Sequence, residues 1–244
     1  MPSRSETGHA KNVENFADLI AYVTSYGDTY NPSKEVLTVA NLNILLANAK
    51  AEMSNVKTNE TNFNNATNAR MAEFKTLKPL STQIINSLAA TDATEQTVKN
   101  AKTINRKIQG QRTPKKETPP QTEETKNKEP KSASASQQSY DLLIDHFDKL
   151  IKLIEVEPQY NPNEINLQAP SLKKKITQLK ATNKAVSDST TAYTNSIITR
   201  NKVLYSEKSG LVDTAASVKK YVLSIYNASS PEYKQIKKIA FKSR

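Results

Sequence analysis

The chain contains no cysteine and no tryptophan, and only 4 glycines, 2 histidines and 5 phenylalanines among its 244 residues. Without cysteine there is no disulfide, no thiolate nucleophile and no cysteine-ligated zinc or iron–sulfur centre. Folds made of strands and tight turns draw on glycine for positive φ, so its scarcity, with Ala, Lys, Asn, Leu and Ile abundant, points to helices. No stretch approaches the roughly 18 consecutive apolar residues of a membrane span, and "MPSRSETGHAKNVENF" holds no apolar run that could centre a secretory signal. The expectation is a soluble, cytoplasmic chain with no transmembrane segment. Glycine-rich phosphate loops, His-Glu-x-x-His and nucleophile elbows are also missing. Neither an enzyme nor a cofactor is expected.

Charge is present in excess of one sign. The net charge is +11. Residues 1 to 110 carry 12 Lys/Arg against 10 Asp/Glu, residues 111 to 139 carry 6 against 4, and residues 140 to 244 carry 17 against 10. Most of the excess therefore belongs to the last segment.

The sequence also repeats itself. Tyr30-Asn31-Pro32 with Leu37 returns as Tyr160-Asn161-Pro162 with Leu167, and at this offset of 130 eleven of the 41 pairs from 30 to 70 are identical, Leu42, Lys50, Ala51, Val56, Thr61, Asn65 and Arg70 among them. Chance would supply roughly two or three, and similarity at a fixed offset is the mark of a structural repeat. Between the copies, "QRTPKKETPPQTEETKNKEPKSASASQQ" has no large apolar side chain and cannot repay the entropy of ordering. The expected organisation is a disordered N-terminus over 1–11, a helical bundle over 12–110, a disordered linker over 111–139 and a second helical bundle over 140–244.

Inside each copy an apolar residue recurs every seven positions: Leu42, Ala49, Val56 and Phe63, then Arg70; Leu172, Leu179, Val186 and Tyr193, then Arg200. This period predicts one long helix with a buried stripe, packed near antiparallel to its neighbours. The middles "TNETNFNNATNA" and "SDSTTAYTNS" have low helix propensity, yet the register runs through them unshifted, so each helix is predicted continuous. A proline eight residues inside a helix would clash with the preceding turn, so the helix of copy two should start near Pro170 and that of copy one near Ala40. Tyr-Asn-Pro is then a connecting turn, with Tyr160 able to staple onto Ile165. Ser230 is expected to cap a last helix whose first residue is Pro231. The fold class is all-α: two homologous antiparallel helical bundles, each with one long central helix.

Arg70 and Arg200 interrupt the stripe at equivalent places. Each could grip an anionic ligand; the reading adopted is a structural buried arginine satisfied by a facing helix, with Asn65 and Asn195 structural likewise. Lys173, Lys174 and Lys175, with Lys234, Lys237, Lys238, Lys242 and Arg244, are the candidate nucleic-acid contacts, since lysines that neutralise phosphates give affinity independent of base sequence. Asp141, Asp145 and Asp148 share one helix face, but hard cations favour oxygens converging from loops, so no metal site is expected. His9 falls in the terminus read as frayed, and His146 on a helix face.

The paired Tyr-Asn-Pro, "NAKTINRKIQGQR" at the close of the first copy, "SYDLLIDHFDKLIKLI" at the opening of the second and the final "YKQIKKIAF" resemble a family of two-repeat helical proteins of Bacteroidetes-group bacteria. Some of its members bear the name hemagglutinin, which implies a surface adhesin. The resemblance carries no catalytic or ligand residue. From the residues themselves, the expected function is a non-catalytic interaction or scaffold protein with an unknown protein partner. The alternative is nucleic-acid binding through the basic second copy. Oligomeric state is left open.

Overall fold

A computed structural model of the chain describes residues 4–111 and 138–243. Among the described residues there are eight α-helices and no strand: α1 (Arg4–Ser25), α2 (Val39–Lys75), α3 (Leu77–Ala89), α4 (Glu95–Gln109), α5 (Tyr140–Glu155), α6 (Ala169–Tyr205), α7 (Leu211–Tyr226) and α8 (Pro231–Lys237). The linker read over 111–139 lies, from 112 to 137, outside the described residues. No described helix is long and apolar enough to cross a membrane.

The two long helices, α2 and α6, are each 37 residues and begin at Val39 and Ala169, 130 positions apart and within one residue of the expected starts. At 1.5 Å per residue each is about 55 Å long. Both run unbroken through their polar middles. There the side chains bond back along the helix, Asn59 Nδ2 to the Asn55 carbonyl (3.0 Å) and Thr61 Oγ1 to that of Lys57 (2.9 Å). Phe63 stacks on Tyr193, its own counterpart at the 130-residue offset, with ring centroids 6.1 Å apart and planes 12° from parallel. The helices end for different reasons. Pro79 has no N–H for the Lys75 carbonyl and its ring crowds that oxygen, so α2 stops at Lys75 and α3 restarts after Thr76. After α6 the chain turns through Lys208, at φ 65°, to Gly210. A Cβ on Gly210 would lie 2.5 Å from the Ser206 nitrogen, so only glycine fits there.

Short helices carry local stop and start signals. Thr94, Ser139 and Ser230 cap α4, α5 and α8, each accepting a hydrogen bond from the backbone N–H three residues on. The expected Ser230 cap and Pro231 start are thus observed. Gly110, at φ 75°, closes α4 with a Gln111 N–H bond to the Arg106 carbonyl.

The compact units differ from the two sequence copies. Residues 1–64 with 189–244 form unit 1, and residues 65–188 form unit 2. In unit 1, Phe16, Leu19 and Val23 of α1 and Leu42 and Ala49 of α2 share a core with Leu211, Val218 and Val222 of α7 and Ile236 of α8. In unit 2, Ile84 and Leu88 of α3 and Ile108 of α4 share a core with Phe147, Leu150 and Ile154 of α5 and Leu172 and Leu179 of α6. The bundles expected at 12–110 and 140–244 are therefore replaced by units that each join the opening helices of one copy to the closing helices of the other. The front and rear of each long helix lie in different cores: Leu42 and Ala49 of α2 in unit 1 and Phe74 in unit 2, Leu172 and Leu179 of α6 in unit 2 and Leu204 in unit 1. No residue of α2 from 57 to 73 is fully buried.

The N-terminal expectation is also corrected. Residues 4–11, read as disordered, belong to α1. His9, read as frayed, is buried, with Nδ1 2.5 Å from the Tyr205 hydroxyl of unit 1. That partner lies 196 residues away in sequence, beyond the reach of local pattern.

Candidate functional site

Tyr-Asn-Pro sets the entrance to each long helix. The Tyr30 hydroxyl donates to the Leu37 carbonyl (2.7 Å) and the Tyr160 hydroxyl to that of Leu167 (3.1 Å), and both leucines are buried. Each bond closes a loop whose far side is a single 3-10 turn, Glu35–Leu37 or Ile165–Leu167. The spacing from tyrosine to leucine that the two copies share is thus the span of this clasp. Burial pushes both phenols up from the ordinary tyrosine range. The expected staple of Tyr160 onto Ile165 does not form: Ile165 is 76% exposed, and Leu167 takes the inward position.

Beside each clasp lies a groove. In unit 2 it is a cleft of about 590 Å³ between the first turns of α6 and the α2–α3 junction; in unit 1 it is one of about 600 Å³ between the first turns of α2 and the α6–α7 turn. The two are lined at equivalent positions. Asn166, Ser171, Lys174, Lys175 and Gln178 in unit 2 stand where Val36, Asn41, Ile44, Leu45 and Asn48 stand in unit 1, each pair 130 residues apart, and Pro79 corresponds to Ser209.

Their chemistry differs. The unit 2 groove is lined by Lys75, Lys174 and Lys175 together with exposed Pro79, half-buried Leu80 and fully buried Leu172, with no acidic residue in its lining. Lys175 is already held: its Nζ donates to Glu73 Oε1 (2.7 Å), the Glu73 carbonyl (3.2 Å) and Thr76 Oγ1 (2.7 Å), and its side chain is 16% exposed. Lys75 and Lys174 are exposed and have no acidic partner within ion-pair distance among the described residues. The unit 1 groove instead has Val36 and Ile44, 52% and 57% exposed, with Lys34, Glu35 and Lys208 around it.

The residues singled out from sequence are distributed as follows. Arg200 is 1% exposed and donates from Nε (3.2 Å) and Nη2 (2.9 Å) to the Asn201 side chain. Arg70 is half-buried. Its Nη1 donates to Asn183 Oδ1 (3.1 Å), Asn183 in turn donates to Asp141 (2.7 Å), and the guanidinium lies 4.1 Å from the Tyr140 ring centroid. These contacts hold a positive charge on π density and an amide linked to a carboxylate, while Nε, buried, makes no hydrogen bond. Asn65 and Asn195 are exposed. Of the candidate nucleic-acid lysines, Lys173 pairs with Glu155 (2.5 Å) and Lys175 with Glu73, leaving Lys174 exposed in unit 2. Lys234, Lys237, Lys238 and Lys242 are exposed in unit 1, and Arg244 lies outside the described residues. The two basic groups therefore belong to different units. Asp145 and Asp148 pair with Lys149 and Lys152 four residues on, and the Lys149 hydrogen bond holds the Asp145 carboxyl below the usual range. His146, on the same helix, is buried, and burial pushes its imidazole below the ordinary histidine value.

One constellation went unread in the sequence. The segment Ile239–Lys242 lies as an extended strap against α1 and α7. Asn12 Nδ2 donates to the Lys242 carbonyl (2.9 Å), the Lys242 N–H donates to Asn12 Oδ1 (3.0 Å), Asn15 Nδ2 donates to the Ala240 carbonyl (2.6 Å), and Lys219 Nζ donates to the Ile239 carbonyl. Burial lowers the Lys219 ammonium from its ordinary value. In unit 2 the matching place is taken by the rear of α4, whose backbone is satisfied within the helix; there Leu143 and His146 occupy the positions of Asn12 and Asn15. An extended backbone must be satisfied from outside, so the face beneath it carries amides. Asn at 12 and 15, where α5 has the buried Leu143 and His146, is the signal that could have revealed it. No protein-family model, curated protein or solved structure matches the chain.

Proposed function

We propose that the protein is a non-catalytic interaction protein, made of two duplicated helical modules, that binds protein partners through its pair of equivalent grooves. The observation that carries this reading is the recurrence of the groove: the equivalent helix front, the equivalent clasp and the connection after the other long helix line a cleft of nearly equal volume in each unit. The matching bounds of α2 and α6 at an offset of 130 support the duplication. The linings combine amides, hydroxyls, lysines and aliphatic side chains, with Glu35 in the unit 1 groove, a composition suited to recognition, and neither includes a histidine. Two sites on one chain confer avidity that one alone lacks.

The test is capture from a lysate of the source organism by full-length protein. Proteins retained by the wild type and lost with the exposed pair Val36→Glu and Ile44→Glu support the reading. Identical retention by wild type, that variant and a variant of the unit 2 groove would sink it.

A second reading, sequence-independent nucleic-acid binding, is favoured by one observation: Lys234, Lys237, Lys238 and Lys242 are exposed together in unit 1 without acidic partners among the described residues. Four neutralised phosphates give log K a slope of about −4 against log salt. A mobility shift with that slope, lost on Lys234→Gln/Lys237→Gln/Lys238→Gln/Lys242→Gln, supports it; no shift at low salt removes it.

A further inference from the structure

We propose that the two grooves have diverged in what they bind, and that the unit 2 groove docks an acidic segment of a protein partner bearing an apolar side chain flanked by carboxylates. The inference rests on the interaction-protein reading and adds the class of partner. Three features of the groove carry it. First, its lining holds three lysines and no Asp or Glu. Lys175 is consumed by Glu73 and Thr76, which fixes it as part of the wall. Lys75 and Lys174 are left exposed on facing elements, the end of α2 and the first turns of α6, and so offer positive charge from both sides of the cleft. Second, exposed Pro79 and half-buried Leu80 share the lining with them, which favours an apolar side chain over a fully hydrated anion. Third, the equivalent positions in unit 1 carry Ile44 and Leu45 in place of Lys174 and Lys175, and Glu35 stands at that groove's edge. A carboxylate segment placed there would meet Glu35 beside Lys34 and Lys208, and would find Ile44 where Lys174 stands in unit 2, so the balance of charge favours the unit 2 groove; charge complementarity of this kind sets partner choice more than raw affinity.

A nucleic acid fits the groove less well. No aromatic side chain lines it to stack a base, and two exposed lysines beside aliphatic side chains neutralise only a short run of phosphates. The duplicated grooves would then be sites for unlike partners, or for unlike segments of one partner.

The experiment uses the full chain and a fluorescein-labelled peptide, Glu-Glu-Leu-Glu-Glu-Leu-Glu-Glu, read by anisotropy at low salt. The expected result is binding that weakens with salt and falls by about tenfold or more in Lys75→Glu/Lys174→Glu, where two attractive contacts become repulsive. The same charge reversal in the other groove, Lys34→Glu/Lys208→Glu, should leave it within about twofold. If the double variant loses helicity, Lys174→Gln alone serves, with a smaller loss expected. Failure of the peptide to bind, equal binding by wild type and the unit 2 variant, or displacement of the peptide by oligo(dT) at lower concentration than by unlabelled peptide would each overturn the proposal. Lysate capture that depends on Val36 and Ile44 but not on Lys75 and Lys174 would overturn it while leaving the interaction reading intact.

Discussion

Separating the two copies should destroy both units. The perturbation is to produce residues 1–111 and 138–244 as independent chains. The first fragment owns nine of the buried side chains in the unit 1 core, Val13 through Ala49, and seven of those in the unit 2 core, Phe74 through Ile108. Each set is completed by residues of the other fragment. Full burial of a large aliphatic or aromatic side chain stabilises by about 1.5–3 kcal/mol, so losing half of it at these positions, Ala49 and Ala101 aside, removes on the order of 10–20 kcal/mol. Typical net stabilities are about 5–15 kcal/mol, so the fragment should not hold its fold alone. Pairing with a second copy of itself is opposed by chemistry: α1 would set Asn12 and Asn15 against the rear of α4, where Leu143 is now in the same core as Ile104 and Ile108. Mixing the two fragments should restore helix content and give a 1:1 complex by light scattering. Either fragment alone behaving as a monomer with cooperative thermal unfolding, and spectra that add to that of the intact chain, would refute the exchanged arrangement.

The clasp, the α6–α7 turn, the strap and the buried histidine give further tests. Tyr30→Phe leaves the buried Leu37 carbonyl without its donor, a cost of about 1–2 kcal/mol that should lower Tm by about 2–4 °C per kcal/mol, and Tyr160→Phe, at a half-buried site, should lower it less. Gly210→Ala forces a Cβ onto the Ser206 backbone and should lower Tm in a thermal melt, whereas Gly8→Ala, with nothing within 4 Å, should not. Asn12→Ala removes the acceptor for the Lys242 N–H, and hydrogen exchange at that amide should quicken more than elsewhere in unit 1. His146 has a folded-state pKa lowered chiefly by burial and next by Lys107, opposed by Asp145. Its neutral form is favoured on folding, so its contribution is whole above the ordinary histidine value, about 6.5, and is lost as pH falls from there toward the lowered folded value. Urea titrations across that window should show stability falling with acid, and a shallower fall in His146→Gln.

Much of the architecture was legible along the chain because helices announce themselves locally. Pro170 located the start of α6, and the seven-residue stripe marked Leu42, Ala49, Val56, Leu172, Leu179 and Val186, all of them buried. Ser230 and Pro231 opened α8 as their capping chemistry required. The grooves were half legible: Lys174 and Lys175 stood out as charge, but the difference between them depended on Glu73, 102 residues away. Likewise the strap rests on bonds from Asn12 and Asn15 to residues more than 220 positions on, and neither asparagine carries a local sign of its partner.

The sequence by itself determined that this chain is helical, that it says Tyr-Asn-Pro twice at one spacing, and where its long helices start. Periodicity, proline and capping act within a few residues, so they can be read in order. Only the tertiary structure decided which copy completes which core, which lysines remain open and why Arg70 is tolerated. A stripe of Leu, Val and Ile specifies that a face must be covered, and burial is indifferent to which apolar face covers it; the partner is chosen by length, volume and charge in three dimensions.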